Sequence, residues 1–121
     1  MGRWSDRPPS SERFPIGSLI FVAFIRIAYF PGGTADQYRA LAGELRNAPT
    51  PAGRLMFAAG PYGNGWQVVQ VWNDRRQLDA FNREWLLPAL GRLGRAGFPL
   101  PPDVRDFEPV DLHPWDVPAV R

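Results

Sequence analysis

The sequence predicts an α+β domain in the order β-α-β-β-α-β, a four-stranded antiparallel sheet with two helices on one face. Three observations carry that expectation. Residues 65–72, Gly-Trp-Gln-Val-Val-Gln-Val-Trp, are short, β-branched and aromatic, which suits a central strand. Asn64-Gly65 ahead of them is a strong hairpin signal, so the preceding strand pairs with this one. Two amphipathic stretches with N-cap residues, Thr34 and Asp74, flank that hairpin.

In chain order, residues 1–17 mix Arg, Ser, Pro and Asp with isolated aromatics and show no period. They are expected to form a disordered or loosely packed extension in which only Trp4 and Phe14 can dock. The folded domain is expected over residues 18–112, followed by a tail over 113–121. Residues 19–30 form the first strand, and their uniform hydrophobicity suits cover on both faces. Arg26 interrupts the run. It either snorkels or pairs with a carboxylate near a strand end, or it is a cation lining a pocket or a subunit interface. Pro31-Gly32-Gly33 turns the chain, and Thr34-Ala35-Asp36-Gln37 reads as a capping box for a helix to about Arg46. Its stripe is Tyr38, Leu41, Ala42 and Leu45.

The second strand is expected over residues 54–59 and the third over 65–72. Trp66, Val68, Gln70 and Trp72 alternate onto one face, with Gln67, Val69 and Val71 on the other. The second helix is expected from Arg75 to about Leu93, with Asp74 as cap and Gln77 three residues on. Leu78, Phe81, Trp85 and Ala89 make its inner face, and Asn82 lies among them. Pro88 removes a helical hydrogen bond, so a kink is expected there, after which Leu87 and Leu90 turn inward. Residues 104–110 form the last strand, placed at an edge by Pro109. This order is the split βαβ, or ferredoxin-like, arrangement. Helices on one face leave the other bare although the strands are apolar on both, so a homodimer with the bare sheets packed together is expected.

Composition narrows the chemistry. A chain of 121 residues is one domain able to bury a core without disulfides, and it has no cysteine. A single histidine rules out sites built from several imidazoles. All 14 basic residues are arginine, and the formal charge is only +2. The sequence pI of about 9.7 therefore reflects the absence of lysine rather than a nucleic-acid footprint, and no nucleic-acid partner is expected. Without lysine there is no Schiff-base chemistry and no phosphate-binding loop of the lysine type. No apolar run is long enough to span a membrane, and a cytoplasmic protein is expected. No metal-ligand cluster or nucleophile motif occurs, so neither metal nor cofactor is expected.

Residues 59–61, 65–72 and 87–90 (Ala-Gly-Pro, the central strand and Leu-Pro-Ala-Leu) resemble the small dimeric α/β-barrel proteins. That superfamily includes the antibiotic-biosynthesis monooxygenase-like proteins, frequent as uncharacterised actinobacterial chains. The resemblance spans about residues 19–112. It implies the ferredoxin-like fold and a homodimer, and it admits cofactor-free monooxygenases, cyclases, isomerases and haem-degrading members. The absence of a helix histidine speaks against the haem-degrading branch. The quinone-forming members surround an aromatic substrate with tryptophan, asparagine and arginine or tyrosine. Matching residue types here are Trp66, Trp72, Asn73, Asn82, Arg26 and Tyr38.

The candidate catalytic residues are accordingly Asn82, Trp66, Arg26 and His113, with Tyr38, Trp72, Asn73, Phe81 and Trp85 lining a substrate pocket. Trp66 and Trp72 lie roughly 20 Å apart at about 3.3 Å per residue, so they cannot share one small reacting centre, and core packing competes with function for both. Asn82 either braces the helix through a buried hydrogen bond or faces a polar cavity. His113 is either a solvent-exposed tail residue or a general base folded over the pocket mouth. Asp106 and Glu108 alternate on the edge strand, where pointing to water deters strand addition. The expected function is a cofactor-independent monooxygenase or cyclase acting on an aromatic or polyketide-like substrate. The competing expectation is a non-catalytic ligand-binding or structural homodimer.

Overall fold

The computed structural model describes residues 23–113. The N-terminal extension with Trp4 and Phe14, residues 19–22 of the expected first strand, and residues 114–121 lie outside the described residues. The elements are β1 (Phe24–Pro31), α1 (Ala35–Glu44), β2 (Arg54–Tyr62), β3 (Gly65–Trp72), α2 (Arg75–Phe81), a π-helical turn (Asn82–Leu86), α3 (Leu87–Leu93), a 3₁₀ turn (Gly94–Ala96) and β4 (Asp103–Phe107). All strand pairs are antiparallel in the spatial order β2-β3-β1-β4, so the ferredoxin-like arrangement is what forms.

Local chemistry explains the boundaries. The Thr34 hydroxyl accepts from the Gln37 N–H at 3.2 Å, and the Gln37 amide oxygen accepts from the Thr34 N–H at 2.9 Å. Both bonds of the capping box are therefore present. Asp74 caps α2 alone, accepting from the Gln77 N–H at 2.9 Å. The Gln77 side chain does not return to complete a box; its amide fills the space where a Cβ of Gly53 would stand, and Gly53 also takes a φ of +87° that favours glycine.

The hairpin differs by one residue from the sequence expectation. Tyr62 pairs with Gly65, so the two-residue loop is Gly63-Asn64 rather than Asn64-Gly65. Gly63 takes φ +58° while no described non-glycine residue has positive φ, the pattern of a glycine-first turn. This register extends β2 to Tyr62, three residues past its expected end. A bulge at Leu55 then shifts the pairing of Arg54 and Met56.

The second helix shows the largest departure. The disturbance expected at Pro88 takes the form of a π turn just before it, where the Leu87 N–H donates to the Asn82 carbonyl. Pro88 has no N–H and its ring would crowd the Glu84 carbonyl, and a wider turn relieves that crowding. The extra residue rotates the inner stripe. Leu78 and Ala89 stay fully buried, but Trp85 moves outward to 37% exposure. Leu86 and Leu90 turn toward the space between helices and sheet, and Leu87, also expected inward, reaches the same space while 60% exposed.

Trp66, Val68, Gln70 and Trp72 face the helices, with Arg26 and Ala28 on the same side of β1. Phe24, Trp72 and Leu78, joined by Phe81, make the tightest part of the core. On the opposite face Ala58, Val69, Ile27 and Arg105 align across the sheet, and so do Met56, Val71, Ile25 and Phe107.

Candidate ligand cavity

Away from the Phe24–Trp72–Leu78 cluster, sheet and helices do not close completely. A cavity of about 560 Å³ lies between them, within the range that holds small organic ligands. Ala28, Phe30 and Val68 contribute from the sheet, and Leu41, Leu45 and Leu90 from the helices. Its polar groups come from Arg26, Tyr38, Arg54, Gln70, Asn82 and Thr50. Among the described residues the lining contains no carboxylate and no histidine.

Of the residues singled out from sequence, Arg26, Tyr38, Phe81 and Asn82 line this cavity. Trp66 and Trp72 are buried beside it rather than in its wall. The Trp66 ring stacks on Tyr38 at 5.2 Å, and its Nε1 is buried without a hydrogen-bond partner among the described residues. Trp72 is fully buried, donates from Nε1 to the Gln70 amide oxygen at 3.0 Å and lies 6.0 Å from the Phe81 ring. Asn73, Trp85 and His113 do not line the cavity: Asn73 is exposed and donates its N–H to the Gly53 carbonyl at 2.8 Å. His113 is exposed and pairs with Asp111.

Both readings of Arg26 hold together. It lines the cavity, and it makes a bidentate bond to Asp106, Nε to Oδ1 and Nη2 to Oδ2, each at 2.8 Å. Asp106 sits opposite Arg26 in the β1–β4 register, so it turns to the helix side instead of to water. The hydrogen bond to Asp106 raises the Arg26 pKa against the opposing effect of burial, and the same bond holds the Asp106 carboxyl below its usual range. A folded-state pKa below the unfolded one adds stability above the unfolded value of about 3.9, and that stability fades as pH falls through the folded value. Denaturant titrations should therefore show Asp106→Asn flattening the acid limb below about pH 4. An unchanged acid limb would mean the pair does not contribute.

Burial pushes the Tyr38 phenol up despite nearby Arg54, so it stays a neutral hydrogen-bond donor at physiological pH. Burial lowers the Arg54 pKa, with Tyr38 opposing, but guanidinium keeps its charge across the physiological range. Arg54, Phe57 and Gln70 were not singled out from sequence. Gln70 carried a signal, a polar residue on the helix-facing side of the central strand. Arg54 looked like a strand boundary.

Asn82 makes no side-chain hydrogen bond to another described residue. The bracing role considered from sequence is therefore not what its side chain does. Asn82→Leu should change folding stability by less than about 0.5 kcal/mol while altering the affinity for planar aromatic ligands. A loss of about 1–3 kcal/mol in chemical denaturation would restore the bracing role.

No protein-family model and no curated protein matches the chain. Solved structures do. A proposed antibiotic biosynthesis monooxygenase from Chloroflexus aurantiacus superposes with a TM-score of 0.56 at 19% identity, covering 75% of this chain and 96% of that one. A second protein so described, from Caulobacter crescentus, gives 0.58 at 12% identity over 76% and 93%. A protein of unknown function from Nitrosomonas europaea gives 0.54 at 22% over 76% and 90%. The chain has the ferredoxin-like fold of the antibiotic-biosynthesis monooxygenase-like proteins. Among the described residues no helix is long and apolar enough to cross a membrane.

Proposed function

We propose that this protein is a cytoplasmic, cofactor-independent monooxygenase or cyclase acting on an aromatic, polyketide-like substrate bound between helices and sheet. The cavity carries the reading: about 560 Å³, walled by aliphatic and aromatic side chains with a few polar groups, it suits a planar apolar molecule held in one orientation. A substrate whose activated CH₂ loses a proton to leave a stabilised carbanion can react with dioxygen by itself. One oxygen atom becomes the new carbonyl, and the other leaves as water with the two hydrogens of the methylene. The protein then needs to bind, orient and keep water out, with the Tyr38 hydroxyl and Asn82 amide as donors.

Oxygen uptake during incubation with anthrone-type and hydroxynaphthalene-type compounds tests the oxygenase, and isomeric products without uptake would indicate cyclisation. One observation favours a second reading, a ligand-binding homodimer without catalysis: among the described residues the cavity lining offers no carboxylate or histidine as a general base. Tight binding with neither uptake nor product would establish that reading.

The homodimer is part of the proposal. Met56, Tyr62 and Phe107 are 43%, 60% and 50% exposed. Met56 and Phe107 lie at the two ends of a row whose middle, Val71, is itself buried. The apolar surface left exposed on the face away from the helices is therefore at Met56, Tyr62 and Phe107, and it suits a second copy.

A further inference from the structure

We propose that Arg54 is the anion receptor of the cavity, and that the planar ligand is held with an ionised hydroxyl, a phenolate or enolate, against its guanidinium. This rests on the reading above that the cavity takes a planar aromatic molecule, and it specifies the charge state of that molecule.

Two arginines reach the cavity wall, and they differ in what meets them. Arg26 is neutralised within the protein by the bidentate Asp106 carboxylate. The Arg54 side chain makes no ion pair and no hydrogen bond among the described residues, although it is half-buried. The other described arginines without an ion pair, Arg46, Arg76, Arg95 and Arg105, are exposed and have water as partner. Arg54 is surrounded instead by rings, with its guanidinium carbon 4.4 Å from the Phe57 centroid, 5.8 Å from Phe81 and 6.0 Å from Trp72.

Aromatic faces attract the guanidinium charge but accept none of its five N–H donors in its own plane. None of the Arg54 nitrogens is fully buried, so these donors face the solvent of the cavity, and an oxyanion entering it supplies an acceptor at the strength of a charge-assisted bond. The rest of the wall fixes the kind of anion. Among the described residues the lining holds no further cation except the already paired Arg26, so one negative charge is matched and a phosphate dianion is not. The Gln70 amide oxygen is engaged by Trp72. Phe57 and Phe81 offer apolar surface beside the guanidinium, where a ring bearing a delocalised negative charge can lie. Tyr38, close enough to Arg54 for each to shift the other's ionisation, adds a neutral donor beside the same oxygen.

The probes are 4-nitrophenol, whose phenolate absorbs in the visible, and 4-nitroanisole, which has the same shape and cannot ionise. Full-length protein is titrated with each over a range of pH. Binding is expected to lower the apparent pKa of 4-nitrophenol by about one unit, equivalent to phenolate binding about tenfold more tightly than the phenol. Arg54→Met and Arg54→Gln should each erase that shift and leave the 4-nitroanisole affinity within about twofold. Arg54 makes no ion pair, so both variants should fold, and the shift in the parent protein is decisive even if one does not. Binding of 4-nitroanisole with no pKa shift for 4-nitrophenol, or a shift that persists in both variants, overturns the role of Arg54 and leaves the proposed function standing. Failure of both probes to bind overturns the aromatic cavity and the anion receptor together.

Discussion

Replacing Trp72 by alanine is expected to cost about 3–5 kcal/mol of folding stability, seen as a fall in Tm on the order of 15–25 °C. Trp72 is fully buried against Phe24 and Leu78, with Phe81 beside it. The change opens a void where sheet and second helix are packed most tightly. It also strands the Gln70 amide oxygen, which loses the indole N–H bonded to it at 3.0 Å. Trp66→Phe is the informative contrast. The Trp66 Nε1 has no partner among the described residues, so removing it relieves an unsatisfied donor and offsets part of the lost volume; a change under about 1 kcal/mol is expected. If thermal melts gave the two substitutions equal costs, the division between a structural Trp72 and a tolerant Trp66 would fail.

Val69→Arg is expected to turn a dimer into a monomer. Val69 is central in the row Ala58–Val69–Ile27–Arg105 on the face turned away from the helices. In a two-fold interface through that face the substitution appears twice, and each guanidinium is desolvated against apolar partners and repelled by its symmetry mate. Sedimentation at micromolar concentration should give twice the chain mass for the parent and the single chain mass for the variant, a weakening of roughly a hundredfold or more. A parent that sediments as a monomer, or a variant that remains a dimer, would rule out this face as the subunit contact.

Much of this fold was legible in local chemistry. β3 spans Gly65–Trp72 as its β-branched and aromatic run implied, and Thr34 and Gln37 form the box their spacing implied. These features need only neighbours along the chain. Where two nearby possibilities were close in energy, pairing partners chose between them. Asn64-Gly65 and Gly63-Asn64 both make acceptable turns, and the β2–β3 register selected the second. Pro88 announced a disturbance in the second helix but not its form, because kinking and widening both relieve a missing N–H. The π turn goes together with Leu86 and Leu90 lining the cavity, and it moved Trp85 out of the stripe that a regular helix would have given it.

By itself the sequence determined the order of elements, the α+β class, which residues of the central strand share a face (though not which of those faces meets the helices), and the absence of cysteine and lysine chemistry. Those follow from periodicity, turn residues and composition, all properties of contiguous chain. Only the tertiary structure decided which polar side chains share a cavity. Arg26 and Asp106 are 80 residues apart in sequence and meet because β1 and β4 are neighbours. Arg54 begins a strand unremarkably, yet the fold surrounds it with Phe57, Phe81 and Trp72 and gives it no carboxylate among the described residues. Whether a charge is neutralised or left waiting for a ligand depends on contacts between distant segments, and local pattern carries no record of them.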